Sequence, residues 1–235
     1  MAGIKQISRA TVAPKTTKKT RKPRVRNQDR WLLKHLDTNL QYTKKWTIKD
    51  VFYPSMLGNL CDRYLYLAYN GLMPAMDVKP KLQRVFDTGG SFEERVENYL
   101  TKADLLKDRE VPAKFNDPPL SGRIDFIIKG VNDQDTILEL KTINAAGFEK
   151  LQVPKPEHII QVQLYLNIAD ESVSADTAYI LYENKNTQDL KSFRLLRDPM
   201  AWTAIVQRCH RIMEMKQPPQ KCTGLWYCDC KKVLL

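Results

Sequence analysis

Hydrophobic and polar residues alternate with a period of two between residues 121 and 141, which predicts two β-strands joined by a turn. In the first strand every second side chain of residues 124–128 is large and apolar. In the second strand Glu139 and Lys141 lie two residues apart, so they point to the same face. The short segment 130–134 begins with glycine and supplies the turn. The pattern therefore predicts a β-hairpin that carries charged side chains on one face.

The register of this hairpin would bring two carboxylates together. If Lys129 pairs with Asp135, counting back along the two strands places Asp125 opposite Glu139. Directly opposed side chains lie about 5 Å apart at Cβ, and two carboxylates that close repel each other unless a cation lies between them. Lys141 points to the same side as Glu139. The spacing predicts a divalent-metal site with an amine beside it, and the alternative is a charged outer face on an ordinary hairpin.

Apolar periodicity and turn residues predict further helices and strands on both sides of the hairpin. Pro112 restricts its strand to the edge of a sheet. Ser55 is the expected N-cap of a helix that contains Cys61 and Arg63, and a later helix should bury Tyr99 together with its other apolar residues. The helices are expected over residues 29–45, 55–67, 88–100, from 156 and over 200–215, and the strands over 108–115, 177–185 and 189–196.

Composition and charge divide the chain into a core and a basic arm. A chain of 235 residues with 43% hydrophobic and 28% charged residues fits one globular domain. No apolar run is long enough for a membrane span, so we expect an intracellular protein that does not engage a membrane. Of the net charge of +11, nine cations fall in residues 1–27, which hold no acid. We expect a disordered arm that contacts a polyanion, most often nucleic acid.

The predicted organisation is a basic arm over residues 1–28 and a single domain over 29–235. Within the domain we expect an N-terminal helical lobe (29–106), a core (107–197), and a C-terminal helix with a cysteine cluster (198–235). The candidate nucleic-acid contacts on the arm are Lys18, Lys19, Arg21, Lys22, Arg24 and Arg26.

Three of the five cysteines lie close together near the C-terminus, at Cys222, Cys228 and Cys230. With Cys61 they provide four thiolates, enough for a [4Fe–4S] cluster or a zinc ion. Cys209 is expected to pack in the core, although it could substitute for one ligand.

One polar stripe on the helix that begins at Pro156 carries His158, Gln161 and Tyr165. An earlier helix, which follows Gly-Gly, carries acids at Glu93, Glu94 and Glu97.

The hairpin motif, Gly122-Arg-Ile-Asp125 followed by Glu139-Leu-Lys141, resembles the active site of the PD-(D/E)XK nuclease superfamily. Further features follow in the order found in its RecB-like members, which include the CRISPR-adaptation nucleases. These features are Cys61-x-Arg63, the acidic helix after Gly-Gly, Gln161-x-x-x-Tyr165 and the terminal cysteines. The spacing Cys-x5-Cys-x-Cys departs from the family, in which the close pair usually comes first.

The resemblance implies a mixed central sheet flanked by helices, with a helical lobe closed by a metal cluster. It implies that Asp125 and Glu139 hold Mg²⁺ or Mn²⁺, with Glu93 or alternatively Glu97 completing the shell, and that Lys141 acts on the attacking water. Gln161 and Tyr165 would position the strand or the ligands.

The same resemblance favours iron–sulfur over zinc at Cys61, Cys222, Cys228 and Cys230. It also implies a backbone-phosphate contact for Arg63.

The expected activity is hydrolysis of single-stranded DNA or DNA ends by an exonuclease, in recombination, replication or repair. Partners could then be viral or host recombination and replication proteins. Two alternatives are a non-catalytic DNA-binding module on a degenerate nuclease fold and a zinc-stabilised interaction protein.

Overall fold

The computed structural model describes residues 30–168, 174–223 and 228–233, and it has the expected mixed α/β architecture. A five-stranded sheet carries helices on its two faces, and a two-stranded ribbon lies outside it. The helices are α1 Arg30–Thr38, α2 Pro54–Leu57, α3 Asp62–Tyr69, α4 Pro80–Lys102, α5 Ala145–Glu149, α6 Pro156–Ile168 and α7 Pro199–Glu214, with 3₁₀ turns at Val131–Asp133 and Asp229–Lys232. The strands are β1 Tyr42–Lys44, β2 Met76–Val78, β3 Leu106–Phe115, β4 Leu120–Lys129, β5 Asp135–Ile143, β6 Thr177–Asn184 and β7 Leu190–Leu196.

The large sheet has the order β3-β4-β5-β6-β7. Strands β5 and β6 are parallel, and the other neighbours are antiparallel. A parallel pair needs a long crossover, which α5 and α6 provide. Strand β3 is at the edge, as Pro112 predicted, and Lys129 pairs with Asp135, as the hairpin register predicted.

The two faces of the sheet bury separate apolar clusters. On one face Phe92, Val96 and Leu100 of α4 pack against Phe126 and Leu138 of the hairpin. On the other face α2, α3, α6 and α7 pack over a larger cluster of buried side chains. The hairpin β4–β5 therefore contributes to both clusters, which fixes its position in the middle of the fold.

The N-terminal elements differ from the predicted ones. The helix expected over residues 29–45 ends at Thr38, and Tyr42–Lys44 pairs with β2 instead. The helix expected over 55–67 is two short helices, because the chain leaves helical geometry between Leu57 and Asp62. Ser55 is not an N-cap, since α2 begins one residue earlier with Pro54 in its first turn.

Cys61 is the N-cap of α3 rather than an interior residue. Its thiol accepts a hydrogen bond from the backbone N–H of Tyr64 at 3.4 Å. A sulfur acceptor is unusual at this position, where short oxygen side chains dominate, so the sequence did not indicate this helix start. The break places the Cys61 side chain at a helix end, where it can face another segment.

Helix α4 begins at Pro80, eight residues before the predicted start at Thr88. It runs through Gly89 and Gly90, which lower helix propensity without ending the helix. Tyr99, expected to be buried, is 55% exposed. The helix buries a narrower stripe in its C-terminal half, at Phe92, Val96 and Leu100.

The C-terminal half follows the prediction more closely. Strands β6 and β7 pair antiparallel and α7 spans the expected residues. Cys209 is fully buried on α7, in agreement with a packing role. Helix α5 was not predicted, and it begins where the Asn144 side chain accepts a hydrogen bond from the backbone of Gly147.

Candidate active site

The end of the regular pairing between β4 and β5 positions Asp125. The paired positions run from Lys129–Asp135 to Phe126–Leu138, and Asp125 and Glu139 are the next residues on each strand. Asp125 Oδ2 accepts a hydrogen bond from the backbone N–H of Leu140 at 2.8 Å. A side chain thus takes the role of a strand partner, which holds the carboxylate between the two strands.

Glu139 has the most unusual environment of the predicted site residues. It is 1% exposed, and its Oε1 accepts a hydrogen bond from the Lys141 ammonium. Its Oε2 is buried and has no hydrogen-bond partner within the described part of the chain. Burial, together with the charge of the neighbouring Asp125, raises the pKa of Glu139 to about 8, against the opposing effect of Lys141.

An unpartnered carboxylate oxygen beside a second carboxylate fits a divalent cation. Buried acceptors are almost always satisfied, so an orphan oxygen at such a position requires an explanation. Burial is also the main cause that raises the pKa of Asp125, against the effects of the Leu140 N–H and Lys141. Oxygen-only ligands of this kind suit Mg²⁺ or Mn²⁺. The residues present therefore fit the metal that the sequence implied.

Glu93 lies beside Asp125. A cavity of about 130 Å³ between α4, β3 and β4 is lined by both Glu93 and Asp125. Desolvation and the nearby Asp125 raise the pKa of Glu93. Glu97 also lines this cavity, but its carboxylate accepts a hydrogen bond from Arg109. The geometry therefore favours Glu93 over Glu97 as a third ligand.

Gln161 and Tyr165 are buried beneath the site rather than on a surface stripe. Gln161 Nε2 donates to the Tyr165 hydroxyl at 3.3 Å, and that hydroxyl donates to the backbone carbonyl of Arg123 at 2.8 Å. Burial raises the pKa of Tyr165, as does the charge of Glu139. The pair thus anchors β4 two residues before Asp125.

Gly122 is required by this arrangement. A Cβ at this position would lie 2.9 Å from the Tyr165 ring and 2.7 Å from Pro54. Only glycine fits where the backbone comes this close to neighbouring groups. The glycine in the Gly122-Arg-Ile-Asp125 motif therefore has a packing reason.

His158, the third member of the predicted stripe, lies near Lys141 in the fold. Its Nδ1 lies 2.7 Å from the hydroxyl of the fully buried Tyr182, which is paired with Lys141 on the neighbouring strand. Burial lowers the pKa of His158 to about 3, and the positive charge of Lys141 contributes. A neutral imidazole therefore adjoins the predicted amine.

Glu110 and Arg123 form an ion pair in this cavity, and neither was predicted as a site residue. Arg123 Nη2 lies 3.3 Å from Glu110 Oε1. Glu110 has a φ of 51°, a left-handed conformation inside a strand. Glutamate has no preference for that region, so no sequence signal for Glu110 existed. Arg123 could have been found, because it lies two residues before Asp125 in the alternating strand.

Arg63 does not have the environment expected of a phosphate contact. Its side chain is 4% exposed, and Nη1 donates to the backbone carbonyl of Pro219 at 2.7 Å. A buried guanidinium offers no surface to a DNA backbone. The prediction is corrected accordingly: Arg63 ties α3 to the segment that precedes Cys222.

Four cysteines converge at the N-terminus of α3. The sulfur atoms of Cys61, Cys222, Cys228 and Cys230 all lie within 4.8 Å of one another. Cys209 is not a member of this group, and burial raises the pKa of its thiol to about 12. The four thiols fit a metal, since closely grouped buried cysteines bind zinc or iron–sulfur clusters.

The spacing of these sulfurs bears on the metal. A single tetrahedral ion with bonds of about 2.3 Å separates its sulfur ligands by about 3.8 Å. The sulfurs of Cys222 and Cys230 lie 3.4 Å apart. The four sulfurs therefore have the spacing of a group that can share one metal centre.

The candidate contacts on the arm, Lys18, Lys19, Arg21, Lys22, Arg24 and Arg26, lie outside the described residues. Among the described residues, no helix has both the length and the apolar composition that a membrane-spanning segment requires.

No protein-family model and no curated protein matches the sequence. Several solved structures are similar in fold. The crystal structure of SSO0001 has a TM-score of 0.49 and 18% identity over 72% of this chain and 78% of that chain. An alkaline exonuclease (LHK-Exo) from Laribacter hongkongensis has a TM-score of 0.48 and 14% identity over 70% and 86%.

A phage-related exonuclease from Haemophilus somnus 129PT has a TM-score of 0.40 and 16% identity over 54% of this chain and 68% of that chain. At these identities and scores the similarity carries no inference about activity.

Proposed function

We propose that this protein is a metal-dependent DNA nuclease of the PD-(D/E)XK type. The observation that carries the proposal is the buried, unpartnered Oε2 of Glu139 beside Asp125, with the Lys141 ammonium on the other carboxylate oxygen. Structural ion pairs satisfy their carboxylates, whereas this one keeps an oxygen available at the cost of desolvation. Such an arrangement is best explained by a ligand that completes it.

Asp125, Glu139 and Glu93 would hold Mg²⁺ or Mn²⁺. A divalent ion bound there supplies a water of lowered pKa and neutralises negative charge on a phosphate. The chain contributes the orientation of the carboxylates, through the Leu140 N–H on Asp125 and the buried surroundings of Glu139. These contacts fix the donor atoms before substrate arrives, which avoids reorganisation during the reaction.

Lys141 would orient or deprotonate the attacking water and stabilise the negative charge that develops on the phosphate. Its side chain is 21% exposed and bonded to Glu139, so it can face both a ligand and solvent. The neutral His158 bonds the hydroxyl of Tyr182 on the strand beside Lys141, and it adds no charge there. Gln161 and Tyr165 would act as positioning residues, because they bond the β4 backbone beside Asp125.

The proposed substrate is single-stranded DNA or a DNA end, cleaved by an exonuclease. The basic arm would add sequence-independent affinity for backbone phosphates. The four cysteines would hold a [4Fe–4S] cluster or a zinc ion that links α3 to the C-terminal segment. Recombination or replication proteins of a virus or its host are the proposed partners.

One experiment separates this function from a non-catalytic DNA-binding module and from a zinc-stabilised interaction protein. Purified protein is incubated with end-labelled single- and double-stranded DNA in Mg²⁺, in Mn²⁺ or in chelator, and its visible spectrum is recorded. A nuclease degrades DNA only with added metal. Binding of DNA without degradation, in Mg²⁺ and in Mn²⁺, would establish the DNA-binding module. A protein that neither binds nor degrades DNA would be assigned to the interaction class.

A further inference from the structure

Two arginines lie among the carboxylates of the cavity beside Asp125, and they are held differently. Arg109 donates to Glu97 in a close ion pair. Among the described residues, the one ion pair of Arg123 is the 3.3 Å contact with Glu110, and its side chain is 64% exposed. Arg123 is therefore the cation of this cavity that is available to a ligand.

The backbone of Arg123 is fixed although its side chain is exposed. Its carbonyl accepts the hydroxyl of the buried Tyr165, and the next charged residue along β4 is Asp125. The guanidinium is close enough for its charge to lower the pKa of both Asp125 and Glu93, against the effect of burial. Arg123 thus presents a cation at the edge of the proposed metal site.

Glu110 lies on β3 and is the ion-pair partner of Arg123. The strand pairs on either side of Glu110 are Arg109–Phe126 and Val111–Ile124, so its backbone lies across from that of Asp125. Its left-handed backbone costs free energy for a residue with a side chain, and such costs concentrate at functional sites. The carboxylate of Glu110 contacts Arg123, and it lines the same cavity as Asp125 and Glu93.

We propose that Arg123 binds a backbone phosphate of the DNA beside the metal site, and that Glu110 occupies this position in the free protein. The inference rests on the proposed nuclease function and names a further substrate-binding residue for it. A guanidinium presents two parallel donors that match two phosphate oxygens, just as they match a carboxylate. Because the Arg123–Glu110 pair is exposed and long, a phosphate can replace Glu110 at little cost.

Two measurements test the role of Arg123 on the full-length protein. Binding of a fluorescently labelled single-stranded oligonucleotide is followed by anisotropy in Ca²⁺ over a range of salt, and cleavage kinetics are measured in Mg²⁺. Arg123→Ala should raise Kd and KM about tenfold, and it should reduce the log–log salt slope by about 0.7, the value for one phosphate contact. Arg123→Lys should keep the slope but bind more weakly, since the paired donors are absent from lysine.

Arg109→Ala is the matched control, because Arg109 lines the same cavity but is bound to Glu97. It should leave the salt slope unchanged. Arg123 is exposed, so its truncation leaves the apolar packing intact, and a thermal melt of each variant confirms the fold.

The role of Glu110 is tested by Glu110→Gln, which should lower Kd up to about fivefold because it removes the competing carboxylate. Glu94→Gln removes the same charge from the same cavity without touching Arg123, and it should leave Kd unchanged. Equal decreases in Kd in the two variants would show a general charge effect and overturn the proposed displacement.

An unchanged salt slope and KM in Arg123→Ala would overturn the phosphate contact itself. If the wild-type protein binds DNA in Ca²⁺ but does not cleave in Mg²⁺, and Arg123→Ala still lowers the slope, the nuclease proposal fails and the phosphate contact stands. The two failures are therefore distinguishable.

Discussion

At the scale of single residues, the environment of Glu139 makes the stability of the metal-free protein depend on pH. Its pKa is about 8 in the folded chain against an ordinary value of 4.5, and burial is the main cause. Between these values the folded state binds more protons than the unfolded state. The free energy of unfolding should therefore fall as pH rises from about 5 to 8, by up to about 1.4 kcal/mol per pH unit.

This first prediction is checked by urea unfolding in chelator at a series of pH values. Glu139→Gln is the matched variant, because an amide keeps the size of the side chain and cannot ionise. It should flatten the dependence over this range. A wild-type protein equally stable at pH 5 and pH 8, or a Glu139→Gln variant with the same slope, would contradict the assigned environment.

The sequence predicts much of the site at this scale, and the reason is strand geometry. Asp125 and Glu139 come together because alternation and turn position together define the register. Glu110 could not be predicted from the sequence, since its left-handed backbone is imposed by the surrounding strands and not by its own propensity. The burial of Gln161 and Tyr165 was also missed, because a polar stripe on a helix predicts exposure unless its neighbours are known.

At the scale of elements, the approach of α6 and Pro54 to β4 depends on Gly122. The second prediction is that Gly122→Ala destabilises the fold by about 1–3 kcal/mol, as overpacking does, because the new Cβ would meet Pro54 and the Tyr165 ring. It should also reduce activity, since β4 carries Asp125. Urea unfolding and the cleavage assay measure the two effects.

Gly89→Ala serves as the control for that substitution. Gly89 lies inside α4, and a Cβ there would meet nothing within 4 Å. Alanine should therefore stabilise the helix by about 0.5–1 kcal/mol. Equal effects of the two substitutions would show that Gly122 is not a close-packed position.

Element boundaries were predicted less well than element types. The hairpin, β6, β7 and α7 follow from strong local patterns, whereas the break before Cys61 depends on tertiary contacts. Arg208 donates to the backbone carbonyls of Leu57 and Asn59 across the break, and no local signal reveals that bond. Satisfied backbone groups let the chain leave the helix at this point.

At the scale of the whole molecule, the cysteine group links residues 161 positions apart, since 222 − 61 = 161. The third prediction is that Cys61→Ala or Cys228→Ala lowers the bound metal and the stability together, because metal binding at such sites is coupled to folding. Cys209→Ala should keep the metal, as Cys209 lies outside the group.

Elemental analysis of anaerobically purified protein measures this outcome and identifies the metal. About four irons per chain with broad visible absorption would establish the cluster, and about one zinc without iron would establish the single ion. Full metal content in both Cys61→Ala and Cys228→Ala would exclude the group as the site.

The fourth prediction concerns the basic arm. Nine cations without an acid can follow any phosphate backbone, so they should raise affinity without changing the chemistry. Deleting residues 1–27 should weaken DNA binding at low salt and lower the salt slope, by about 0.7 for each phosphate that the arm neutralises on a single strand. The cleavage rate at saturating DNA should change little. An unchanged slope would assign the arm to localisation or to a protein partner.

The central claim is that Asp125, Glu139 and Lys141 form a metal-dependent nuclease site. The most direct measurement compares cleavage of end-labelled DNA by the wild-type protein and by Asp125→Ala, Glu139→Ala and Lys141→Ala, in Mg²⁺ and in Mn²⁺, with binding measured alongside. Each variant should lose cleavage while DNA binding stays largely intact, because the three side chains share one site and the affinity comes from phosphate contacts elsewhere. Full activity in Asp125→Ala would contradict the account.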